Sequence, residues 1–249
     1  MATVVVTGAT GAVGSATVEA LTKRRAHVIK LSRPSFDLSS FASVRAAARE
    51  LSRAGHIDAL LHIAAVYVPR FQKSADGLEL MLSVNHLSPF LLTNLLRDRL
   101  AGGGRVITVA APSSTRVDLA RLMDRYRFSA FHTFGATKAA NLMFTFELAR
   151  RAKRWDVRAN AFHPGLVRSE LMREASRPVR LTARLFSRDP ERAGQDLAEL
   201  ALSPAHAGTT GWFFRGAKRI DAPKSTLDAG QQSLVWRRSA ELVELDSGF

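Results

Sequence analysis

Short apolar runs alternate along the whole chain with longer stretches in which apolar residues recur every three or four positions. The short runs cover residues 3–7, 27–31, 58–65, 105–110, 157–162 and 211–214. Their length and their apolar, often β-branched composition predict buried strands. Since strands alternate with helix-like stretches to the end of the chain, we expect a doubly wound α/β fold with a parallel sheet, formed by a single domain over residues 1–249.

In the longer stretches apolar residues recur with the period of an α-helix, so we predict helices there. They cover residues 15–21, 40–53, 75–100, 129–153, 190–202 and 233–245. In the second of them Val44, Ala47, Ala48 and Leu51 fall on one face, which is typical of an amphipathic helix. Pro89 lies inside the third, where a proline removes a backbone donor, and we therefore predict a kink there.

Three glycines follow the first strand at regular spacing, at Gly8, Gly11 and Gly14. Gly8 allows a sharp turn, Gly11 allows the backbone to approach a diphosphate, and Gly14 allows the next helix to pack closely on the strand. The free N–H groups at that helix N-terminus favour phosphate. A strand, three spaced glycines and a helix therefore predict a dinucleotide site, to which Thr10 and Val13 also belong.

The end of the second strand indicates which dinucleotide binds. An acidic residue commonly stands there and binds the ribose hydroxyls of NAD. Here the position is taken by Ser32, and Arg33 follows it. A neutral residue beside a guanidinium suits a 2′-phosphate, so we predict NADP(H) as the cofactor.

The cysteine content, the net charge and the length of the apolar runs exclude several classes of protein. The chain has no cysteine, which excludes disulfides, thiolate metal sites and a cysteine nucleophile, and no metal site is predicted. The net charge of +14 fits either biased codon usage or an anionic partner, but no nucleic-acid-binding motif accompanies it. The first strand begins almost at Met1, and the longest apolar stretch, residues 59–68, is about half of a membrane span. We expect a cytoplasmic protein that binds neither nucleic acid nor membrane.

Taken together, these landmarks resemble the short-chain dehydrogenase/reductase family, and most closely its retinol-dehydrogenase-like branch, over essentially the whole chain. The glycine motif at residues 7–14, the Asn85-His86-Leu87 signature and the Pro164-Gly165 motif follow one another in the family's order. The resemblance implies a Rossmann-like fold and a homodimer or homotetramer built on the helices that carry Asn85 and Lys138. It also implies further cofactor-binding residues: Asp37, Leu38, Ala64, Ala65, Lys138, Pro164, Gly165, Val167 and Ser169.

The expected active site departs from the family's Asn-Ser-Tyr-Lys tetrad. Asn85 and Lys138 are in place, but Phe134 stands where the tyrosine is expected and Ala111 where the serine is expected. In the family the tyrosine donates the proton, the serine polarises the carbonyl, and the lysine lowers the pKa of the tyrosine. Phenylalanine and alanine perform neither task, so the resemblance implies cofactor binding without the usual acid.

Three interpretations remain open. Another residue donates the proton, the candidates being His132, Tyr67 and one of the serines after Ala111, Ser113 or Ser114. Alternatively, the substrate is an iminium or a conjugated alkene that needs little acid help. In the third interpretation no hydride is transferred, and the protein is a cyclase, an isomerase, a lyase or a silent binding subunit.

Between these we favour an NADP(H)-binding oxidoreductase with a non-standard site that reduces a hydrophobic small molecule. The family places a lid after the Pro-Gly motif, here about residues 166–188. Arginines recur through this segment at three- and four-residue steps. They point either to a solvated outer face or to a substrate that is anionic or tethered to a carrier protein.

Overall fold

The computed structural model describes residues 1–53, 55–165, 189–246 and 248–249. Within them a seven-stranded sheet has the order β2-β1-β3-β4-β5-β6-β7. The strands are β1 Thr3–Thr7, β2 His27–Leu31, β3 Ala59–His62, β4 Arg105–Val109, β5 Arg158–Phe162, β6 Phe213–Arg215 and β7 Lys218–Arg219. This confirms the predicted doubly wound α/β fold.

Helices cover both faces of the sheet. They are α1 Ala12–Lys23, α2 Phe41–Leu51, α3 Leu80–Leu82, α4 Ser88–Leu95, α5 Arg97–Leu100, α6 Leu119–Leu122, α7 Ala130–Arg151, α8 Pro190–Leu202 and α9 Ala229–Leu242. Helices α1 and α8 share one buried apolar cluster, and α2, α4, α7 and α9 share a second on the other face of the sheet, while Leu142 and Phe146 of α7 form a smaller third cluster with β5 and β6. The sheet therefore lies between two apolar layers.

The sheet is parallel from β2 to β6, with one antiparallel strand at its edge. The predicted parallel sheet is confirmed over these six strands, and β7 is an additional edge strand that the sequence did not predict. Strand β7 is two exposed residues long and pairs with β6 across a turn in which Gly216 has φ +62°. A two-residue polar strand has no apolar run, so the periodicity could not show it.

The predicted helix over residues 75–100 is divided in the structure. A π-helical turn, Ser83–Leu87, joins α3 to α4, and residues 75–79 precede the helical region. Pro89 lies in the first turn of α4, directly after the π-turn, and the carbonyl that its missing N–H would bond in an α-helix belongs to Asn85, four residues earlier. The irregularity predicted from Pro89 is therefore found in the π-turn that contains Asn85, and single π-turns often mark functional positions.

The C-terminal helix α9 lies across the helices on its face of the sheet. The Trp236 ring is edge-on to Phe90, with 4.9 Å between centroids, and stacks on Phe144 at 5.9 Å. Ser239 Oγ lies 2.8 Å from His86 Nε2. Helix α9 therefore covers both the helix that contains Lys138 and the segment that contains Asn85.

Among the described residues, no helix combines the length and the apolar character needed to cross a lipid bilayer. The same part of the chain holds no group of three or more His, Cys, Asp or Glu side chains arranged to bind a metal ion.

Candidate nucleotide and substrate site

The glycine loop after β1 has the tight geometry that its sequence predicts. Gly8 has φ +69°, and a Cβ there would lie 2.7 Å from Ala64 Cα. A Cβ on Gly14 would lie 2.0 Å from the carbonyl oxygen of Gly8. At Gly11, in contrast, a Cβ would meet only that same oxygen, at 3.5 Å. Gly8 and Gly14 are therefore required by the fold, whereas Gly11 leaves open space above the loop.

This open space faces the N-terminus of α1. The helix begins after Gly11, with no side chain capping it and no acidic residue in its first turn. Thr10 is exposed and Val13 half-buried beside it. First-turn N–H groups have no acceptor within their own helix, and the helix dipole favours an anion there. The residues present therefore fit a dinucleotide diphosphate.

The end of β2 is bonded to this loop. Gly8 N donates to Leu31 O at 3.1 Å, so Ser32 and Arg33 follow directly beside the glycines. Arg33 is exposed and forms no ion pair with any of the described residues. Asp37 Oδ1 instead accepts hydrogen bonds from the backbone and the hydroxyl of Ser39, both at 2.8 Å, and so holds the following turn. Leu38 is buried behind it.

The segment after β3 lies on the other side of Gly8. Thr7 Oγ1 accepts hydrogen bonds from the N–H groups of Ile63 at 3.2 Å and Ala64 at 3.5 Å. Ala64 and Ala65 are half-buried, and Ala64 lies next to the glycine turn. The residues predicted to bind the cofactor after β1, β2 and β3 are therefore brought together at the carboxyl edge of the sheet, where doubly wound folds bind ligands.

Asn85 is buried in the π-turn, and its side chain is bonded to backbone. Its Oδ1 accepts from Val66 N at 2.7 Å, and its Nδ2 donates to Val66 O at 3.0 Å and to Thr137 Oγ1 at 3.3 Å. Its own carbonyl oxygen accepts from Asn141 Nδ2 at 2.9 Å. Asn85 therefore joins the segment after β3 to helix α7 and has little bonding capacity left for substrate.

Lys138 is buried on α7, one turn after Phe134. Its Nζ lies 5.4 Å from the centroid of the Phe134 ring. None of the described residues gives this ammonium a hydrogen-bond or ion-pair partner, and burial lowers the pKa of Lys138 to about 8. A buried cation without an internal partner fits a residue that binds the hydroxyls of an incoming nucleotide ribose.

Three of the candidate donors differ in their surroundings. The Tyr67 ring lies edge-on to Phe134, with 5.6 Å between the ring centroids. Ser113 Oγ donates to Thr115 Oγ1 at 3.0 Å, and both hydroxyls lie against Gly135 of α7. His132 is half-buried on α7, two residues before Phe134. Thr115 was missed from the sequence because no pattern links it to the helix that it contacts.

The remaining predicted positions lie at the ends of β4 and β5. Ala111 is half-buried after β4, and Ala110 N donates to Phe162 O at 2.9 Å. Pro164 and Gly165 follow β5, both half-buried, and Gly165 has φ +83°. Val167, Ser169 and the basic lid at about residues 166–188 lie outside the described residues.

Most of this chain is similar in sequence to known proteins. A family model described as enoyl-(acyl carrier protein) reductase matches residues 2–211. Over 268 residues the chain is 33% identical to a Streptomyces sp. (strain C5) protein provisionally named daunorubicin C-13 ketoreductase DnrU, covering 97% of this chain and 92% of that protein. Over 220 residues it is 31% identical to Homo sapiens retinol dehydrogenase 14, covering 84% of this chain and 66% of the relative, slightly under two thirds of its length.

Solved structures share the fold. An uncharacterised protein from Mycobacterium paratuberculosis superposes with a TM-score of 0.78 at 27% identity, over 100% of this chain and 96% of that one. The 3-alpha-hydroxysteroid dehydrogenase from Pseudomonas sp. B-0831, solved in complex with NADH, superposes with a TM-score of 0.72 at 20% identity, over 94% and 98%. With the family match over residues 2–211 and the glycine loop at the edge of this sheet, the chain belongs to the short-chain dehydrogenase/reductase family.

Proposed function

We propose that the protein is an NADP(H)-binding oxidoreductase that reduces a carbonyl group of a hydrophobic small molecule. The observation that carries the proposal is the open space at Gly11 together with Lys138, a buried ammonium to which none of the described residues gives a hydrogen-bond or ion-pair partner. NADPH supplies a hydride when it is bound. The glycine loop would hold its diphosphate, Arg33 its 2′-phosphate and Lys138 its nicotinamide ribose.

The apolar surface beside Lys138 supports a hydrophobic substrate. Tyr67 and Phe134 contact each other there, and Phe71 packs edge-on against Phe128 with 5.7 Å between ring centroids. Phe71 and Phe128 lie in the segments that follow β3 and β4. The names of the Streptomyces and human relatives, a ketoreductase and a retinol dehydrogenase, agree with an extended apolar substrate.

A non-redox function is the alternative. It is favoured by the replacement of the usual acid by Phe134 and of the usual polarising hydroxyl by Ala111.

Two measurements separate the two functions. Calorimetry tests whether NADPH binds, and loss of NADPH absorbance with a panel of ketones, aldehydes, imines and enones tests hydride transfer. Tight NADPH binding without turnover of any compound would favour the alternative, and absence of NADPH binding would overturn both the cofactor and the reductase proposals.

Arg33→Ala is expected to lower the affinity for NADPH by about 10- to 100-fold, because a charged hydrogen bond contributes about 1.5–3 kcal/mol. Affinity for NADH, which lacks the 2′-phosphate, should change little. The matched control is Arg53→Ala, an exposed arginine just beyond the C-terminal end of α2. Calorimetric titration of both nucleotides provides the test, and equal affinity of the wild type for NADPH and NADH would contradict the proposed preference.

We also propose a homodimer or homotetramer, as the family resemblance implies. Helix α9 covers the helices that carry Asn85 and Lys138, so an interface on this side of the protein would include the outer face of α9, where Leu234 is 39% exposed. Sedimentation at micromolar concentration should show a dimer or tetramer that Leu234→Glu weakens. A clean monomer of the wild type would contradict this expectation.

A further inference from the structure

The ring of one tyrosine lies next to the position where the usual acid is missing. The ring of Tyr67 contacts the ring of Phe134, and Phe134 also contacts the ammonium of Lys138. Tyr67 is half-buried, and its hydroxyl forms no hydrogen bond with any of the described residues. A tyrosine hydroxyl near buried surface usually has a partner, so this one is available to a ligand.

The backbone that carries Tyr67 is fixed in place. Asn85 bonds both the N–H and the C=O of the preceding residue, Val66, at 2.7 and 3.0 Å. The same amide bonds Thr137, whose hydroxyl donates to Phe134 O at 2.8 Å. Asn85 therefore holds the segment that carries Tyr67 in register with the turn of α7 that carries Phe134.

Two other candidate donors are less well placed. His132 and Phe134 are two residues apart on α7, and such side chains point about 200° apart around a helix. His132 therefore does not share the face of Phe134 and Lys138. Ser113 already donates its hydrogen to Thr115 Oγ1 and accepts from Thr115 N at 3.3 Å.

From this arrangement we infer that Tyr67 is the proton donor of this enzyme and takes over the task of the family's tyrosine from a position beside Phe134. The inference rests on the proposed reductase function. As hydride adds to the substrate carbonyl carbon, the C=O π electrons move to oxygen, and the Tyr67 O–H bond breaks to form the new alcohol O–H. Water then reprotonates the phenolate. Overall, the carbonyl is reduced to an alcohol while NADPH is oxidised to NADP⁺.

The test is Tyr67→Phe, which keeps the ring contact with Phe134 and removes only the hydroxyl. The chain has two tyrosines, and the other, Tyr126, is 91% exposed, so Tyr126→Phe is the matched control. With the carbonyl compound that the wild type reduces fastest, kcat of Tyr67→Phe should fall by about 100-fold or more, while KM changes little, because general acids contribute about 10²–10⁴. Tyr126→Phe should retain wild-type kcat.

A second variant and a second readout separate chemistry from packing. Adding Phe134→Tyr to Tyr67→Phe returns a hydroxyl next to Lys138 and should restore part of kcat. In protein labelled with ¹³Cζ-tyrosine, NMR gives one signal per tyrosine. The Tyr67 signal should shift when the same carbonyl compound is added in the presence of NADP⁺, which prevents turnover, and the Tyr126 signal should stay in place.

The outcomes distinguish the two proposals. If the wild type reduces a carbonyl compound and Tyr67→Phe keeps its kcat, or if the Tyr67 signal does not move, the role of Tyr67 is overturned and the reductase function stands. If the wild type binds NADPH but reduces nothing on the panel, the reductase function is overturned, and the role of Tyr67 is overturned with it.

Discussion

Gly14→Ala is expected to destabilise the folded protein by about 3 kcal/mol and to abolish NADPH binding. A Cβ at Gly14 would lie 2.0 Å from Gly8 O, 2.8 Å from Gly8 C and 3.0 Å from Ala9 Cα. All three atoms belong to the backbone, so no side chain can rotate away, and overpacking of this kind typically costs about 1–3 kcal/mol. Urea unfolding measures the free energy, and calorimetry measures the binding.

The matched control is Gly11→Ala in the same loop. Its Cβ would meet only Gly8 O, at 3.5 Å, so the free energy of unfolding should stay close to that of the wild type. The methyl group would, however, occupy the space proposed for the diphosphate, and the NADPH affinity should fall by about tenfold or more, equivalent to about 1.4 kcal/mol. Full NADPH affinity in Gly11→Ala would contradict the proposed position of the diphosphate.

Lowering the pH from about 6.5 to 5 is expected to destabilise the protein, although this range lies above the pH at which ordinary carboxylates titrate. Two histidines are fully buried, and burial lowers the pKa of His62 to about 3 and that of His86 to about 4. His62 Nε2 lies 2.7 Å from Thr93 Oγ1, which donates its own hydrogen to Pro89 O at 2.8 Å. The hydrogen of His62 is therefore on Nε2, and none of the described residues offers an acceptor to a second hydrogen on Nδ1.

Because burial lowers both histidine pKa values, the protein should become less stable as the pH falls. A histidine pKa below its ordinary value of 6.5 means that the folded state favours the neutral ring. The stabilisation is complete above pH 6.5 and is lost as the pH falls towards 4 for His86 and towards 3 for His62. At about 1.4 kcal/mol per pH unit for each ring, the two histidines together remove about 4 kcal/mol between pH 6.5 and 5.

Urea unfolding at pH 7, 6 and 5 measures this dependence. Burial raises the pKa of Glu79, which opposes part of the slope, so the histidine contribution is isolated by comparing variants. His62→Gln and His86→Gln should each reduce the pH dependence, whatever they do to stability at pH 7. The exposed His56, changed to Gln, should leave it unchanged. Equal slopes in all four proteins would show that folding does not lower the pKa of either buried ring.

The glycine loop could be predicted from sequence because its constraints are mostly local. Gly8, Gly11 and Gly14 lie within one turn between a strand and a helix, and the atoms that a Cβ on Gly11 or Gly14 would meet belong to that same turn. The boundaries of α8, Pro190–Leu202, were also predicted, because Pro190 at its first turn and the amphipathic period are properties of the segment itself.

The features that the sequence could not predict depend on contacts between segments that are distant in the chain. The π-turn at Asn85 is bonded to Val66 and to Asn141, and no periodicity in residues 75–100 contains those partners. Tyr67 could be named as one candidate donor, but its contact with Phe134 joins the segment after β3 to the N-terminal part of α7. Only the fold shows that Tyr67 shares a ring contact with the position of the missing acid.

The packing of α9 over α4 and α7 has a consequence for folding during synthesis. His86 and Ser239, which bond across this contact, are 153 residues apart in the chain. At about 5–20 residues per second, the ribosome needs roughly 8–30 s to make the segment between them. Until α9 is made, Phe90 and Phe144 lack the indole that covers them. The nascent chain therefore presents these two aromatic rings to chaperones and to other nascent chains until its C-terminal helix has been made.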